Sequence, residues 1–413
     1  MNRLLALLLA LALFATLAVG CDEEAASPTQ ATQTTEATAQ PTLSADQQAI
    51  LQERRDAVES YMRTMATYLW RAEETIDYFT SGQIILHIEE GRLYRGIPYT
   101  HASSNLSAFS GFAVAEENGI ATIGGIHPDM MGNTSVRRLG NDCSGAVENS
   151  WAILGAEINP EITTYMCPNQ GYLRVGDYYA PQDNNKGSSG LCAANGEEVM
   201  FRSYALLQKA DAVVYAKSSG HTMLVVSNHV VQAEDGSIDG SESYITTLHQ
   251  TRAYVKEETK AFDEALGEDV YQTYGIDDVY TYAELFEQGY LPITCQALTD
   301  PNWEIPTPTV TDSVAQPTAD AMFEGEFLSN YFISFVDFTV TDRQGNVVQQ
   351  ARAFPDRNDM RSFPLSEFIA NPVMIQGKVD LSILPAGTYD VSFVCQIVTG
   401  ERFPLRQLEY TCQ

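Results

Sequence analysis

The stretch from Asp211 to Val255 constrains the fold of this chain more than any other. It reads DAVVYAKSSGHTMLVVSNHVVQ, then AEDGSIDG, then a second run containing SYITTLHQTRAYV. Both long runs are β-branched and aromatic and are bounded by Gly, Asp and Ser, which is the pattern of strands. The turn-rich connection predicts an antiparallel hairpin of Thr222–Gln232 with Ser243–Thr251, centred near Gly236. Such a hairpin returns His249 or Gln250 to the side of His221, at the head of the first strand. His249 is preferred over Gln250. His229 lies further along the same strand, roughly 26 Å away at the usual rise per residue, too far to join them.

Upstream, Gly140–Trp151 reads GNDCSGAVENSW. Asn141 and Asp142 are N-cap residues, so Cys143 falls in the first turn of a helix that runs through Leu154, with Val147, Trp151 and Leu154 on one face. The partial positive charge of a helix N-terminus favours thiolate over thiol. Gly145, lacking a side chain, leaves the sulfur accessible. A half-cystine and a buried packing thiol are the alternatives. With His221 as base and His249 or Gln250 to orient it, Cys143 becomes a candidate nucleophile. Helices followed by a run of strands make this an α+β domain.

Three segments in order carry a family resemblance. Asp142-Cys143-Ser144-Gly145 resembles the nucleophile motif of the NlpC-type papain-like cysteine peptidases of bacterial cell walls. Ala210-Asp211-Ala212-Val213-Val214-Tyr215, followed by Gly220-His221 and an apolar strand, is similar to the second motif of that family. Gly96-Ile97-Pro98-Tyr99 resembles its Pro-Tyr element, whose tyrosine lies beside the nucleophile. The resemblance covers roughly residues 84 to 255. It departs from the family after Tyr99, where Thr100-His101-Ala102-Ser103-Ser104-Asn105 replaces a Gly-rich stretch, and in the long segments before Cys143 and between Cys143 and His221.

The resemblance implies a papain-like domain, a Cys-bearing helix packed on an antiparallel sheet, over residues 80–300. It implies Cys143, His221 and His249 as catalytic residues, with Tyr99, Asp142, Ser144 and Gln250 in support. The implied activity is hydrolysis of amide bonds in peptidoglycan stem peptides, with no cofactor. An amidase or acyltransferase using the same Cys-His pair is an alternative. So is a non-catalytic surface protein that binds wall or glycans. The six histidines show no zinc-ligand spacing, so no metal is expected.

The N-terminus, MNRLLALLLALALFATLAVGC, is a secretory leader over residues 1–20. Ala18-Val19-Gly20-Cys21 resembles the lipobox of bacterial lipoproteins, which implies a lipid anchor on Cys21 and a place on the outer face of the bacterial membrane. An ordinary leader cleaved elsewhere is the alternative. Residues 21–43 are too polar to pack and read as a disordered Thr/Pro-rich tether. A formal charge of −30 argues against a nucleic-acid partner. The expected partners are wall peptides and, through the anchor, the membrane; oligomeric state is left open.

Residues 44–79 read as one long amphipathic helix, with Leu51, Val58, Met62, Met65, Leu69, Ala72 and Ile76 on its stripe and Ser44/Gln47 as a capping box. A Pro/Thr linker at 301–318 precedes residues 319–413, whose short strand-like runs and turn signals fit an all-β, Ig-like sandwich. Disulfides are permitted outside the cytosol. Cys395 with Cys412, and Cys167 with Cys192, are candidate pairs, which leaves Cys143 and Cys295 over.

Overall fold

The computed structural model describes residues 43–412 except 81–82, 101–103, 125–139, 157–162, 164–165, 169–171, 182–186, 217–219, 252–254, 256, 317–322, 356–360, 365–374 and 379–380. The expected leader, Cys21 and all but Leu43 of the expected tether lie outside the described residues.

Helix α1 (Ala45–Thr67) opens on the expected capping box: Ser44 Oγ accepts from Gln47 N–H, and Gln47 Oε1 accepts from Ser44 N–H. It buries Leu51, Val58, Met62 and Met65, together with Arg54 and Arg55. The helix stops twelve residues short of the expected end at 79. From Tyr68 the backbone turns extended, and β1 (Leu69–Ala72) follows, burying Trp70 and Ala72 alternately. The apolar spacing changes here from the helical three or four to two, which a chain rich in aromatic residues satisfies as strand.

Next come β2 (Ile76–Thr80), β3 (Gln83–Ile88), β4 (Leu93–Arg95), the short α2 (Leu106–Ser110), β5 (Ala113–Glu117) and β6 (Ile120–Ile123). Helix α3 (Cys143–Ala152) is buried along its whole length. After it lie β7 (Leu173–Arg174), α4 (Gly187–Asn195), α5 (Glu197–Tyr204), β8 (Ala212–Ala216), β9 (Gly220–His229) and β10 (Tyr244–Gln250). Strands β11 (Lys260–Asp263), β12 (Glu268–Gln272) and β13 (Tyr274–Thr281), helix α6 (Tyr282–Gln288) and β14 (Leu291–Thr294) complete this part.

Two six-stranded sheets result. The first, β11-β12-β4-β1-β6-β5, mixes parallel and antiparallel pairs. The second, β13-β10-β9-β8-β14-β7, is antiparallel throughout and carries the expected hairpin. Pairing of His229 with Tyr244 centres that hairpin beside Gly236. Helix α3 packs on this sheet, with Val147, Trp151 and Leu154 buried and Trp151 Nε1–H donating to Ala210 O at 2.8 Å. Helix α1 closes the sheet from one side. Arg55 meets Asp211 at 2.9 Å and donates to Leu298 O, while Arg54 donates to Ala297 O and Asp300 O.

The C-terminal strands are β15 (Val310–Asp312), β16 (Glu326–Ser329), β17 (Ile333–Asp342), β18 (Val347–Ala353), β19 (Ser362–Pro364), β20 (Ile375–Lys378), β21 (Gly387–Ile397) and β22 (Arg402–Cys412). They form sheets β15-β16-β19 and β20-β18-β17-β21-β22 around a second core. Phe327 of the first sheet meets Phe393 of the second at 5.9 Å between ring centres. Strand β15 lies within the expected linker and pairs with β16. The two cores touch: Phe112 stacks on Phe354 at 4.0 Å, and Ser334 Oγ–H donates to Asn105 Oδ1 at 2.8 Å. Ser44–Gln413 thus forms one compact, sheet-rich α+β unit.

All six cysteines of this unit are free thiols. The expected Cys395–Cys412 bridge fails on register. Cys395 lies opposite Phe403 and Cys412 opposite Gly387, eight positions along the same ladder. That separation is roughly 26 Å, far beyond the ~7 Å reach of a disulfide. Cys167 and Cys192 are buried neighbours but unbonded, with the Cys192 thiol donating to Tyr290 O at 3.4 Å.

The Arg55–Asp211 pair is 5% and 3% exposed and joins helix to sheet. Replacing Asp211 with Ala strands a buried guanidinium and costs about 3–5 kcal/mol. The expected readout is a lower urea midpoint with an unchanged slope; an unaltered midpoint would refute it.

Candidate functional site

Local chemistry places Cys143. Asp142 is the N-cap of α3: its Oδ1 accepts from Gly145 N–H at 2.8 Å and from Ser144 Oγ–H at 2.9 Å. One residue earlier, Asn141 is tied on three sides. Its N–H donates to Pro98 O, its side-chain amide donates to Ser104 O at 3.1 Å, and its Oδ1 accepts from Tyr274 Oη–H at 2.9 Å. The Pro98–Tyr99 segment therefore runs beside the turn that precedes the cysteine, and Tyr99 forms a bridge with Asn141. Gly140 permits this approach, because a β-carbon there would stand 2.0 Å from Pro98 O.

The backbone N–H groups of Thr222, Ser144 and Cys143 itself lie near enough to the Cys143 sulfur to favour its charged form. The sulfur thus sits over the helix N-terminus and against the head of β9, one residue from His221. Strand β9 pairs with β10, and Nε2 of His221 lies 2.8 Å from Nδ1 of His249, with the rings edge to face. Between the two candidates for the third position, the hydrogen bond goes to His249. Gln250 is buried and donates to Ile97 O at 2.5 Å, which fastens the Pro98–Tyr99 segment to the sheet. His229 lies at the far end of the ladder opposite Tyr244.

Asp278 escaped the sequence reading. Its Oδ2 lies 2.9 Å from His249 Nε2. It stands on β13, a strand the sequence reading did not identify. The available signal was Gly275 within YGIDDVYT, since glycine inside a strand marks a bulge or a close approach.

Burial dominates the electrostatics. Cys143 is 5% exposed, so Gly145 does not open the sulfur to solvent as expected. Burial pushes the thiol up to about 12, Asp142 adds to the rise, and the three backbone N–H groups only partly offset it. Burial also drives His221 down to about 3, helped by His249. Thr163 and Met166 pack against Gly220 and Thr222, the neighbours of His221 in β9. A β-carbon at Gly220 would stand 1.6 Å from Thr163 Oγ1, and Met166 Sδ accepts from Thr222 Oγ1–H at 3.4 Å. Tyr99 is held well above its usual range, chiefly by burial, with Cys143 and Asp142 close enough to add to the rise. Cys143 therefore rests as a neutral thiol and His221, on the strand that heads toward it, as a neutral imidazole. A thiol and an imidazole in these states suit general-base chemistry, in which a sulfur loses its proton as it attacks, rather than attack by a preformed thiolate.

No protein-family model matches the chain, and no curated protein does. One solved structure, described as "Crystal structure of tetra-tandem repeat in extending region of large adhesion protein", aligns with 49% of this chain at 17% identity and a TM-score of 0.20. The alignment spans 40% of that protein's length, and a likeness this slight carries no argument about fold or function.

A neutral resting thiol predicts slow alkylation of Cys143 by iodoacetamide near pH 7. The rate should climb about tenfold per pH unit toward pH 10, as expected while the thiol stays below its pKa. Peptide mapping by mass spectrometry isolates Cys143 from the other cysteines. A rate flat across this range would reveal a preformed thiolate and overturn the assignment.

Proposed function

We propose that the chain is a cysteine hydrolase of the bacterial cell surface, lipid-anchored at Cys21, that cleaves amide bonds in peptidoglycan stem peptides. The carrying observation is the hydrogen bond between His221 and His249 at the head of β9, where the capped helix delivers Cys143. The nucleophile-bearing helix on an antiparallel sheet supports a papain-like reading of residues 80–300. The facing C-terminal sheets support an Ig-like sandwich, a module suited to holding wall material.

The chemistry follows from the neutral pair. As the Cys143 sulfur attacks the carbonyl carbon, its proton passes to His221, and the carbonyl oxygen becomes an oxyanion. The backbone N–H of Cys143 is the donor at hand for that charge. His221 then gives its proton to the departing nitrogen, the C–N bond breaks, and a thioester remains. Water attacks the thioester as His221 takes its proton. The acid is released and the thiol is restored.

The near-complete burial of Cys143 favours a second reading, a wall-binding surface protein with no turnover. Digestion of purified wall fragments separates the two. Wild type should release new amino termini by mass spectrometry and Cys143→Ala should release none. Equal yields from both would leave binding as the function. An amidase or acyltransferase using the same pair would instead be recognised by the bond cut or the acceptor joined.

The pH profile gives a second check. His221 works as the neutral base, and a folded-state value of about 3 keeps it neutral as pH falls. The acid limb of kcat/KM should therefore lie well below the ordinary imidazole value of about 6.5. An acid limb at 6 to 7 would contradict this.

A further inference from the structure

The line of hydrogen bonds does not end at His249. Its other ring nitrogen, Nε2, faces Asp278 Oδ2 at 2.9 Å, while Nδ1 faces His221 Nε2 at 2.8 Å. A carboxylate only accepts hydrogen bonds, so His249 must carry its proton on Nε2. Its Nδ1 is then a lone pair, which requires the proton of His221 to lie on that ring's Nε2. The Nδ1 of His221 is left as the lone pair able to receive the proton of Cys143. Had His249 carried its proton on Nδ1, it would donate to His221, whose proton would move to Nδ1 and block the transfer. We propose that Asp278 is a positioning residue that sets the tautomers of His249 and His221 and so prepares His221 as a base.

The backbone is built around this contact. Between β10 and β13 the register slips: Thr247 faces Asp278, but Leu248 faces Ile276. The extra residue, Asp277, sits at φ 56, a bulge in the left-handed region. Arg63 of α1 holds that bulge through Asp277 at 3.0 Å. The bulge brings the Asp278 side chain to the face that His249 occupies. Directly opposite His249 stands Gly275. A β-carbon there would lie 2.3 Å from His249 Nε2 and 2.5 Å from Asp278 Oδ2. The missing side chain at Gly275 is the space in which the hydrogen bond forms. A bulge, a glycine and an ion pair thus converge on one contact, between a buried imidazole and a carboxylate whose side chain is 45% exposed.

The kinetic consequence rests on the hydrolase reading, but the tautomers do not. The test is two-dimensional NMR of the full chain with 15N-labelled histidine near neutral pH, with signals assigned through His221→Gln and His249→Gln. In wild type both rings should carry the proton on Nε2. In Asp278→Ala, and separately in Gly275→Ala, both should shift to populate the Nδ1–H form, and Asp278→Glu should restore the wild-type pattern. Against a wall peptide, Asp278→Ala should lower kcat about tenfold with KM unchanged, the scale of a lost orienting group. Retention of the Nε2–H form by both rings in both alanine variants would overturn the proposal. Tautomers that shift as stated in a protein without turnover would uphold it while removing the hydrolase reading.

Discussion

Strand register is the constraint on which the rest of this molecule depends. Side chains alternate faces along a strand, so a slip of one residue in β9, β10 or β13 would send an imidazole to the wrong side. His221 and His249 share a face because the β9–β10 ladder also slips once, between Thr246 and Thr247. The β10–β13 slip then brings Asp278 to the same face. Helix α3 completes the arrangement from above, and its position is set by Asn141, whose bonds to Pro98, Ser104 and Tyr274 draw three separate segments together.

The balance between helix N-terminus and burial decides what kind of chemistry the site can support. Three backbone N–H groups at one sulfur are the arrangement that in an open cleft yields a thiolate. Here desolvation outweighs them, and His221 is pushed toward neutrality by the same cause. Two neutral groups side by side store no charge in the apolar interior and so avoid the desolvation cost of a buried ion pair. On the hydrolase reading, the proton moves only when a substrate carbonyl supplies somewhere for the electron pair of sulfur to go.

Much of the site was legible in the sequence because its signals are local. Asp142 before Cys143 announces a cap, and the turn between two β-branched runs announces a hairpin whose arithmetic pairs His229 with Tyr244. What stayed hidden depends on distant partners. Strands β1, β4, β5 and β6 are three to five residues long, and β1 pairs in parallel with a segment some fifty residues away, so no periodicity marks them. The end of α1 at Thr67 is decided by the burial of Trp70 and Ala72 in that sheet. Cys395 and Cys412 looked paired because they flank one hairpin, but flanking residues on antiparallel strands meet only when they are equidistant from the turn. Asp278 was out of reach because its contact needs a bulge, and a bulge breaks the alternation by which strands are recognised.

The contact between the two cores has a mechanical meaning. Ser334 on β17 binds the side chain of Asn105; the neighbouring Ser104 carbonyl holds Asn141; and Asn141 leads through Asp142 to Cys143. Only a few covalent and hydrogen-bonded links separate the C-terminal sheets from the sulfur. Whatever binds those sheets pulls on the same frame that holds Cys143. Cutting the chain at residue 300 would accordingly be less like shortening a handle than like removing one wall of the vice.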